Sequence, residues 1–236
     1  MLKAKELIGH GCLGQPFSCT MDWVADCTRL TRSTQLYPDP DQPEELAWKY
    51  RRDKSPGGKL IYHGTHYIDA IQWLVGDTLS AVTCVTANVT GAPLENEDAA
   101  VLSFQMENTG LVGTLNTGYY VIQGGKQCSI RLWGSEGWFF LELDGREAGP
   151  RLQWQTNYDD DSGVQTWEEP PPAAGGSKAD GYRDLTVAAV RFANGRGPPP
   201  MRTSESRAVM RAVFAGYAAA ESGRTQRIAS LLENHM

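Results

Sequence analysis

Residues 56–77 read PGGKLIYHGTHYIDAIQWLVGD. Gly57 and Gly58 open the stretch, and Gly76 closes it. Between them Ile61, Ile68, Ile71, Trp73, Leu74 and Val75 recur at roughly helical spacing, which predicts a helix over residues 58–75. His63, His66 and Asp69 fall three apart and so project from one broad face of that helix. Ionisable groups on an otherwise buried helix are costly unless paired or used. The stretch therefore carries both a fold signal and a candidate site.

The segments around it read mostly as strands. Residues 79–90, 98–106, 110–120, 127–133, 138–143, 151–158 and 164–168 have strand composition or alternate, and turn signals at 107–110 and 134–137 join pairs of them into hairpins. One face of these strands is apolar: Leu102, Phe104 and Met106; Ile130 and Leu132; Phe139, Leu141 and Leu143; Leu152 and Trp154. The other is mixed, with Ser103, Gln105, Thr114, Asn116, Ser129, Arg131, Gln153 and Gln155. That pattern predicts an α+β fold: a mostly antiparallel open sheet with helices packed on one face. The mixed face then meets water or another subunit.

Upstream, residues 2–8 read as a short helix and 15–30 as one long strand or two. Residues 31–50 are loop-like, punctuated by Pro38, Pro40 and Pro43, with a short helix around 44–50. Downstream, a helix over 180–194 places Tyr182, Leu185, Ala189 and Phe192 on one inward face. A last helix from Ser204 turns Val209, Val213, Phe214 and Tyr217 inward and stops at Gly223.

A chain of 236 residues can bury a full core. Its net charge of −6 argues against nucleic acid or an anionic membrane as partner. No apolar run approaches a membrane span, and the N-terminal residues are too short and charged for a secretory signal. Five scattered cysteines without a C-x-x-C pair read as free thiols in a reducing cytosol, which implies a cytoplasmic protein. Residues 9–14, GHGCLG, spell G-x-G-x-x-G, but a helical piece precedes them and a strand follows. A dinucleotide fingerprint needs the reverse order, so the run reads as a helix-to-strand turn.

The stretch at 56–77 resembles the second domain of the glucose–fructose oxidoreductase / inositol dehydrogenase (Gfo/Idh/MocA) family. That family has a pattern close to G-G-G-x-x-x-D-x-G-x-H-x-x-D, then an apolar run and a glycine. Gly57, Gly58, Gly64, His66, Asp69 and Gly76 match it, whereas Pro56 replaces the first glycine and Tyr62 the aspartate. Residues 7–14 are similar to the family's interdomain linker, and 208–224 to its final helix. The resemblance implies one substrate and oligomerisation domain over residues 1–236, with 1–14 a remnant of the linker helix and turn, and without the nucleotide-binding half. The implied function is the substrate half of an NAD(P)-dependent oxidoreductase acting on a sugar or cyclitol. Alternatives are a cofactor-free lyase or hydratase on an oxidised sugar, or a non-catalytic assembly or sugar-binding protein. The chain alone is expected to bind no cofactor, with NAD(P) entering only once a nucleotide-binding domain is supplied. Expected partners are a small sugar or cyclitol, and either a second copy across the open sheet face or a chain carrying that domain.

In that family the helix histidine takes the proton of the substrate hydroxyl as hydride leaves, which suits a base near neutrality. His66 matches the histidine, and Tyr62, one turn earlier, stands in the aspartate's place. A phenol with a usual pKa near 10 is a poor replacement for a carboxylate. Asp69 either orients His66 or serves the helix itself. His63 joins them on the pocket side, and Tyr119 and Tyr120, at the end of a strand, line a sugar pocket or pack as rim. Arg51 and Arg52 either meet an acidic substrate group or are solvated loop charges. A metal held by His63, His66 and Asp69 is a further alternative, weakened because their spacing drifts around the helix.

Overall fold

The computed structural model describes residues 1–26, 47–121, 126–143, 151–157, 163–168 and 178–228. Helix α1 is Leu2–Gly9, and α2 is Thr65–Val75, entered through a π-turn at Leu60–Gly64. Helices α3, Lys178–Ala193, and α4, Thr203–Ser222, come between the eighth and ninth strands. The strands are β1 Pro16–Asp26, β2 Leu79–Ala87, β3 Ala99–Met106, β4 Val112–Val121, β5 Lys126–Gly134, β6 Gly137–Glu142, β7 Arg151–Thr156, β8 Gln165–Glu168 and β9 Gln226–Arg227. They form one nine-stranded sheet in the order β8-β7-β6-β5-β1-β4-β3-β2-β9. Only β1 with β4 is parallel, Thr20 facing Thr114; the other pairs are antiparallel.

The α+β expectation holds, and so does its choice of faces. Leu102, Phe104, Met106, Ile130, Leu132, Phe139, Leu141 and Leu152 are buried. Leu60, Ile68, Ile71 and Leu74 of the motif stretch and Val209, Ala212, Val213, Ala215 and Ala219 of α4 close over them. Gly216 lets α4 approach closely, since a Cβ there would lie 2.9 Å from Leu102 Cδ1. Helix α2 ends at Gly76, whose φ of +77° favours glycine, and Lys5 donates to the Trp73 and Leu74 carbonyls at 2.6 and 3.0 Å. The turn after it is fixed by Asp77, which accepts from the amides of Asn108 and Thr109 at 3.0 and 2.8 Å.

Four expectations are corrected. The helix over 58–75 is not uniform, because its first part is the π-turn. The face of α3 bearing Tyr182, Leu185 and Phe192 does not turn inward: these side chains are 72, 54 and 50% exposed. Apolar period alone cannot say whether a partner surface lies beneath a helix. Phe214 likewise points out, 47% exposed, one residue beyond buried Val213. The expected strand at 15–30 is β1 as far as Asp26, and the helix at 44–50 is a 3-10 turn at Trp48–Tyr50; residues 27–46 lie outside the described ones. No helix among the described residues is long and apolar enough to cross a membrane.

Candidate active site

The motif stretch begins as backbone packed against backbone. A Cβ on Gly57 would lie 2.0 Å from the Tyr217 hydroxyl, and one on Gly58 would lie 2.0 Å from the Glu97 carbonyl oxygen. Neither distance admits a side chain, which is the physical content of the glycine pair. The space they leave is filled by a cap. The Glu97 carboxylate accepts from the Gly58 amide at 2.8 Å and the Leu60 amide at 3.0 Å, and the Glu97 carbonyl accepts from Lys59 at 3.0 Å. Tyr217 donates its hydroxyl to Glu97 at 2.7 Å, and its oxygen accepts from the Ile61 amide at 3.2 Å. The free N–H groups of the first turn are thus met by one acidic residue and one phenol. Burial, then the charge of Glu97, pushes the Tyr217 pKa well above the usual phenol value, so its proton stays available to donate.

From this anchored start the chain takes the π-turn, a feature that often marks functional positions. Tyr62 is half-buried, and its hydroxyl lies 3.0 Å from Ser55 Oγ. Ser55 already donates to the Gly57 carbonyl at 2.7 Å, so Tyr62 is the donor of that pair. The phenol that stands at the family's aspartate position is thereby tied to the loop. His63 is also half-buried and lies against Trp23, with ring centroids 3.8 Å apart at 30°. His66, at the first turn of α2, is exposed. Asp69, one turn on, lines a cleft of about 580 Å³ with Trp73, Leu185, Met201 and Glu205. Burial and then the Glu205 charge raise the Asp69 carboxyl, while His66 acts in the opposite direction.

Asp69 thus lies in that cleft, while Tyr62 and His63, adjacent in sequence, enter two further neighbourhoods. Tyr62 belongs to the 55–62 loop, with the exposed Trp48 ring set edge-on to it at 6.1 Å and 72°. His63 belongs with Trp23, Tyr119 and Lys59. The Lys59 ammonium, in a residue only 3% exposed, sits 3.6 Å from the Trp23 ring centroid and 3.4 Å from that of Tyr119. Trp23 and Tyr119 meet edge-to-face at 6.1 Å. Tyr119 thus has a cation on its face, and the side chain of Tyr120 lies outside the described residues. Among the described residues, no group of three His, Cys, Asp or Glu is placed to hold a metal, so His63, His66 and Asp69 do not converge. Arg51 pairs with Asp53 at 2.8 Å and Arg52 donates to the Glu95 carbonyl at 2.9 Å, so both shape the loop.

Sequence reasoning missed Glu97, Ser55, Trp23 and Trp48, and gave Tyr217 only a packing role. Lys59 carried a signal that was passed over: a lysine between a glycine pair and an apolar run must either leave the core or find partners within it.

The glycine run at 9–14 does not fit a dinucleotide. Helix α1 ends at Gly9 and β1 starts at Pro16, so no helix begins at the run. The turn is packed on the β5–β6 hairpin, and a Cβ on Gly14 would lie 2.3 Å from Ser135 Oγ.

Comparison with known proteins agrees with this architecture. A profile described as the GFO/IDH/MocA C-terminal domain matches residues 1–140. The chain is 29% identical over 138 residues to the 2,7-anhydro-N-acetylneuraminate hydratase of Escherichia coli (strain K12), covering 55% of this chain and 33% of that protein. It is 28% identical over 167 residues to the protein of the same name from Mediterraneibacter gnavus, covering 67% of this chain and 41% of that one. Levoglucosan dehydrogenase in complex with NADH and levoglucosan superposes with a TM-score of 0.77 at 20% identity, over 95% of this chain and 62% of that one. An oxidoreductase domain protein from Kribbella flavida gives a TM-score of 0.75 at 20% identity, over 96% and 62%. These two structural likenesses show a shared fold. The chain spans between a third and two-fifths of the length of these curated relatives. Because the matched profile covers more than half of its residues, the chain belongs to the GFO/IDH/MocA family and carries that family's C-terminal domain.

Proposed function

We propose that residues 1–236 work as one substrate and oligomerisation domain, with 1–14 acting as a linker segment, and that the domain forms half of a sugar cleft for an NAD(P)-dependent oxidoreductase. The observation that carries this reading is the exposed His66 on a helix whose entry is fixed by Glu97 and Tyr217, in a chain of this family. His66 is the group that accepts the substrate hydroxyl proton. Tyr62, held by Ser55, shapes the pocket beside it, and Asp69 and His63 flank it. The nicotinamide supplies hydride chemistry and is brought by a nucleotide-binding domain, since the glycine run here does not fit a dinucleotide. Anhydro-bridged sugars are the favoured substrate class, because a relative by sequence and a neighbour by structure are named for 2,7-anhydro-N-acetylneuraminate and levoglucosan.

A second reading is supported by the curated relatives named as hydratases. There His66 abstracts a proton beside a carbonyl and no external redox partner is consumed. In either reading the outer sheet face joins two copies: Val85, Val101 and Val112 are 68, 46 and 51% exposed on it. The buried thiols of Cys19 and Cys84, which are in no disulfide, suit a reducing cytosol.

Calorimetric titration of the chain with levoglucosan, with 2,7-anhydro-N-acetylneuraminate and with NADH tests the proposal. A sugar should bind to the wild type and not to His66→Ala, and NADH should give no heat. Tight NADH binding to this chain, or sugar binding unaffected by His66→Ala, overturns it.

A further inference from the structure

Trp48 is 62% exposed, yet Ala47 before it and Tyr50 two residues after it are 8 and 7% exposed. The turn between them is anchored. The Tyr50 amide donates to the Ala47 carbonyl at 2.9 Å, and the Glu95 amide donates to the Tyr50 carbonyl at 3.0 Å. Ala47, Tyr50 and Leu94 form a small core of their own, against which Ala92 and Tyr119 pack. A fixed turn therefore holds an indole, the largest apolar side chain, out in water. It does so beside the family motif, because the ring it meets is that of Tyr62.

Tyr62 is the other half of the arrangement. Its hydroxyl is engaged by Ser55, whose own proton goes to the Gly57 carbonyl, so what Tyr62 offers outward is its ring. The two rings stand 72° apart and form a corner beside the π-turn that carries Tyr62. A carboxylate at position 62 would grip a hydroxyl of the ligand. An aromatic corner instead suits a ligand surface that donates few hydrogen bonds. An intramolecular anhydro bridge creates such a surface, since two hydroxyls lose water and leave one ether oxygen without a donor.

We propose that Trp48 and Tyr62 form a stacking corner that receives the bridged, donor-poor face of an anhydro sugar and turns its hydroxyl-bearing face toward His66. Trp48 is then a specificity-determining residue, and the corner selects bridged over open sugars. The inference rests on the sugar-cleft reading above and names the feature that sets its specificity.

Saturation-transfer NMR on the full chain tests it, with levoglucosan as probe and glucose as the unbridged comparator. Wild type should bind levoglucosan at least tenfold more tightly than glucose. Trp48→Ala should weaken levoglucosan about tenfold while leaving glucose nearly unchanged, and Trp48→Phe should restore affinity to within about threefold. Because Trp48 lies on the surface, circular dichroism and melting of Trp48→Ala should match wild type. If Trp48→Ala binds levoglucosan like wild type while His66→Ala does not, the stacking corner is refuted and the cleft stands. If neither variant changes binding, or the wild type binds neither sugar, the cleft reading falls and the corner falls with it.

Discussion

Tyr217, on the last long helix, donates its hydroxyl to the Glu97 carboxylate at 2.7 Å, although 120 residues separate them in the chain. The same carboxylate takes the Gly58 and Leu60 amides, so a residue ahead of β3 and a residue of α4 jointly cap the stretch that carries Tyr62 and His66. The position of the candidate base is thus set by tertiary contacts. Removing the phenol oxygen leaves the Ile61 amide without its partner and Glu97 with one donor fewer. Tyr217→Phe should therefore destabilise the fold by roughly 1–2 kcal/mol in urea denaturation. Hydrogen exchange at the Leu60 and Ile61 amides should quicken more than at Leu74, farther along α2. Equal protection in both proteins would show that Tyr217 merely packs.

The glycine pair should be intolerant of any side chain. Gly57→Ala and Gly58→Ala each place a carbon 2.0 Å from an oxygen, that of the Tyr217 hydroxyl and of the Glu97 backbone respectively. Backbone yields less readily than a hydroxyl at the end of a side chain, so Gly58→Ala should be the worse of the two. Losses of about 1–3 kcal/mol are expected, measured by denaturant midpoint. Gly9→Ala is the control: nothing lies within 4 Å of its Cβ position, at the end of α1, and it should be neutral or slightly stabilising.

Asp69 and Asp77 should act on stability in opposite directions with pH. Burial, then Glu205, raises the Asp69 carboxyl above its ordinary 3.8, so folding favours its protonated form. Its contribution is full below pH 3.8 and is lost as pH rises through the raised value. Burial also opposes the charge of Asp77, but bonds from Thr109 and Asn108 outweigh it and hold that carboxyl below 3.8. Its stabilisation is present above pH 3.8 and is lost as pH falls through the lowered value. Asp69→Asn should thus raise the melting temperature at pH 7, with the gain shrinking in acid. Asp77→Asn should lower it at pH 7, with the loss shrinking in acid. Thermal melts at pH 3 and pH 7 check both signs.

Much of this architecture was legible in the sequence because two periodicities coexist there. Alternation along β3 put Leu102, Phe104 and Met106 inside and Ser103 and Gln105 outside, and the spacing of Ile68, Ile71 and Leu74 put one face of α2 in the core. The glycines and the histidine of the motif pointed to the family, which the profile over residues 1–140 bears out. Non-local facts were not legible. Glu97 is an ordinary charged residue in a loop until Gly58 and Tyr217 are brought to it. Nor does the sequence say that the Tyr62 hydroxyl meets Ser55 at 3.0 Å. The failure at α3 is of another kind: Tyr182, Leu185 and Phe192 are apolar at helical spacing, but a periodic stripe states only that a helix has an apolar side.

The outer sheet face gives the last prediction. Val85 on β2 and Val101 on β3 are directly opposite one another, and Val101 faces Asn116 on β4. Val112, nearer the other end of β4, adds another apolar side chain to that face. The face also carries a hollow of about 430 Å³, lined by Thr20, Ser103, Gln105 and Thr114 among others. Valines exposed among hydroxyl-bearing side chains resemble the apolar core and polar surround of a subunit interface. Under the proposal that two copies meet here, Val101→Glu places a charge against its own image across a two-fold contact, which is strongly unfavourable once desolvated. Light scattering should then find an oligomer for the wild type at micromolar concentration and a monomer for the variant. The folding stability of the variant monomer should change little, by within about 0.5 kcal/mol, because Val101 is outside the core. A wild type that is monomeric at that concentration would refute the interface, and an oligomer that survives Val101→Glu would move it to another surface.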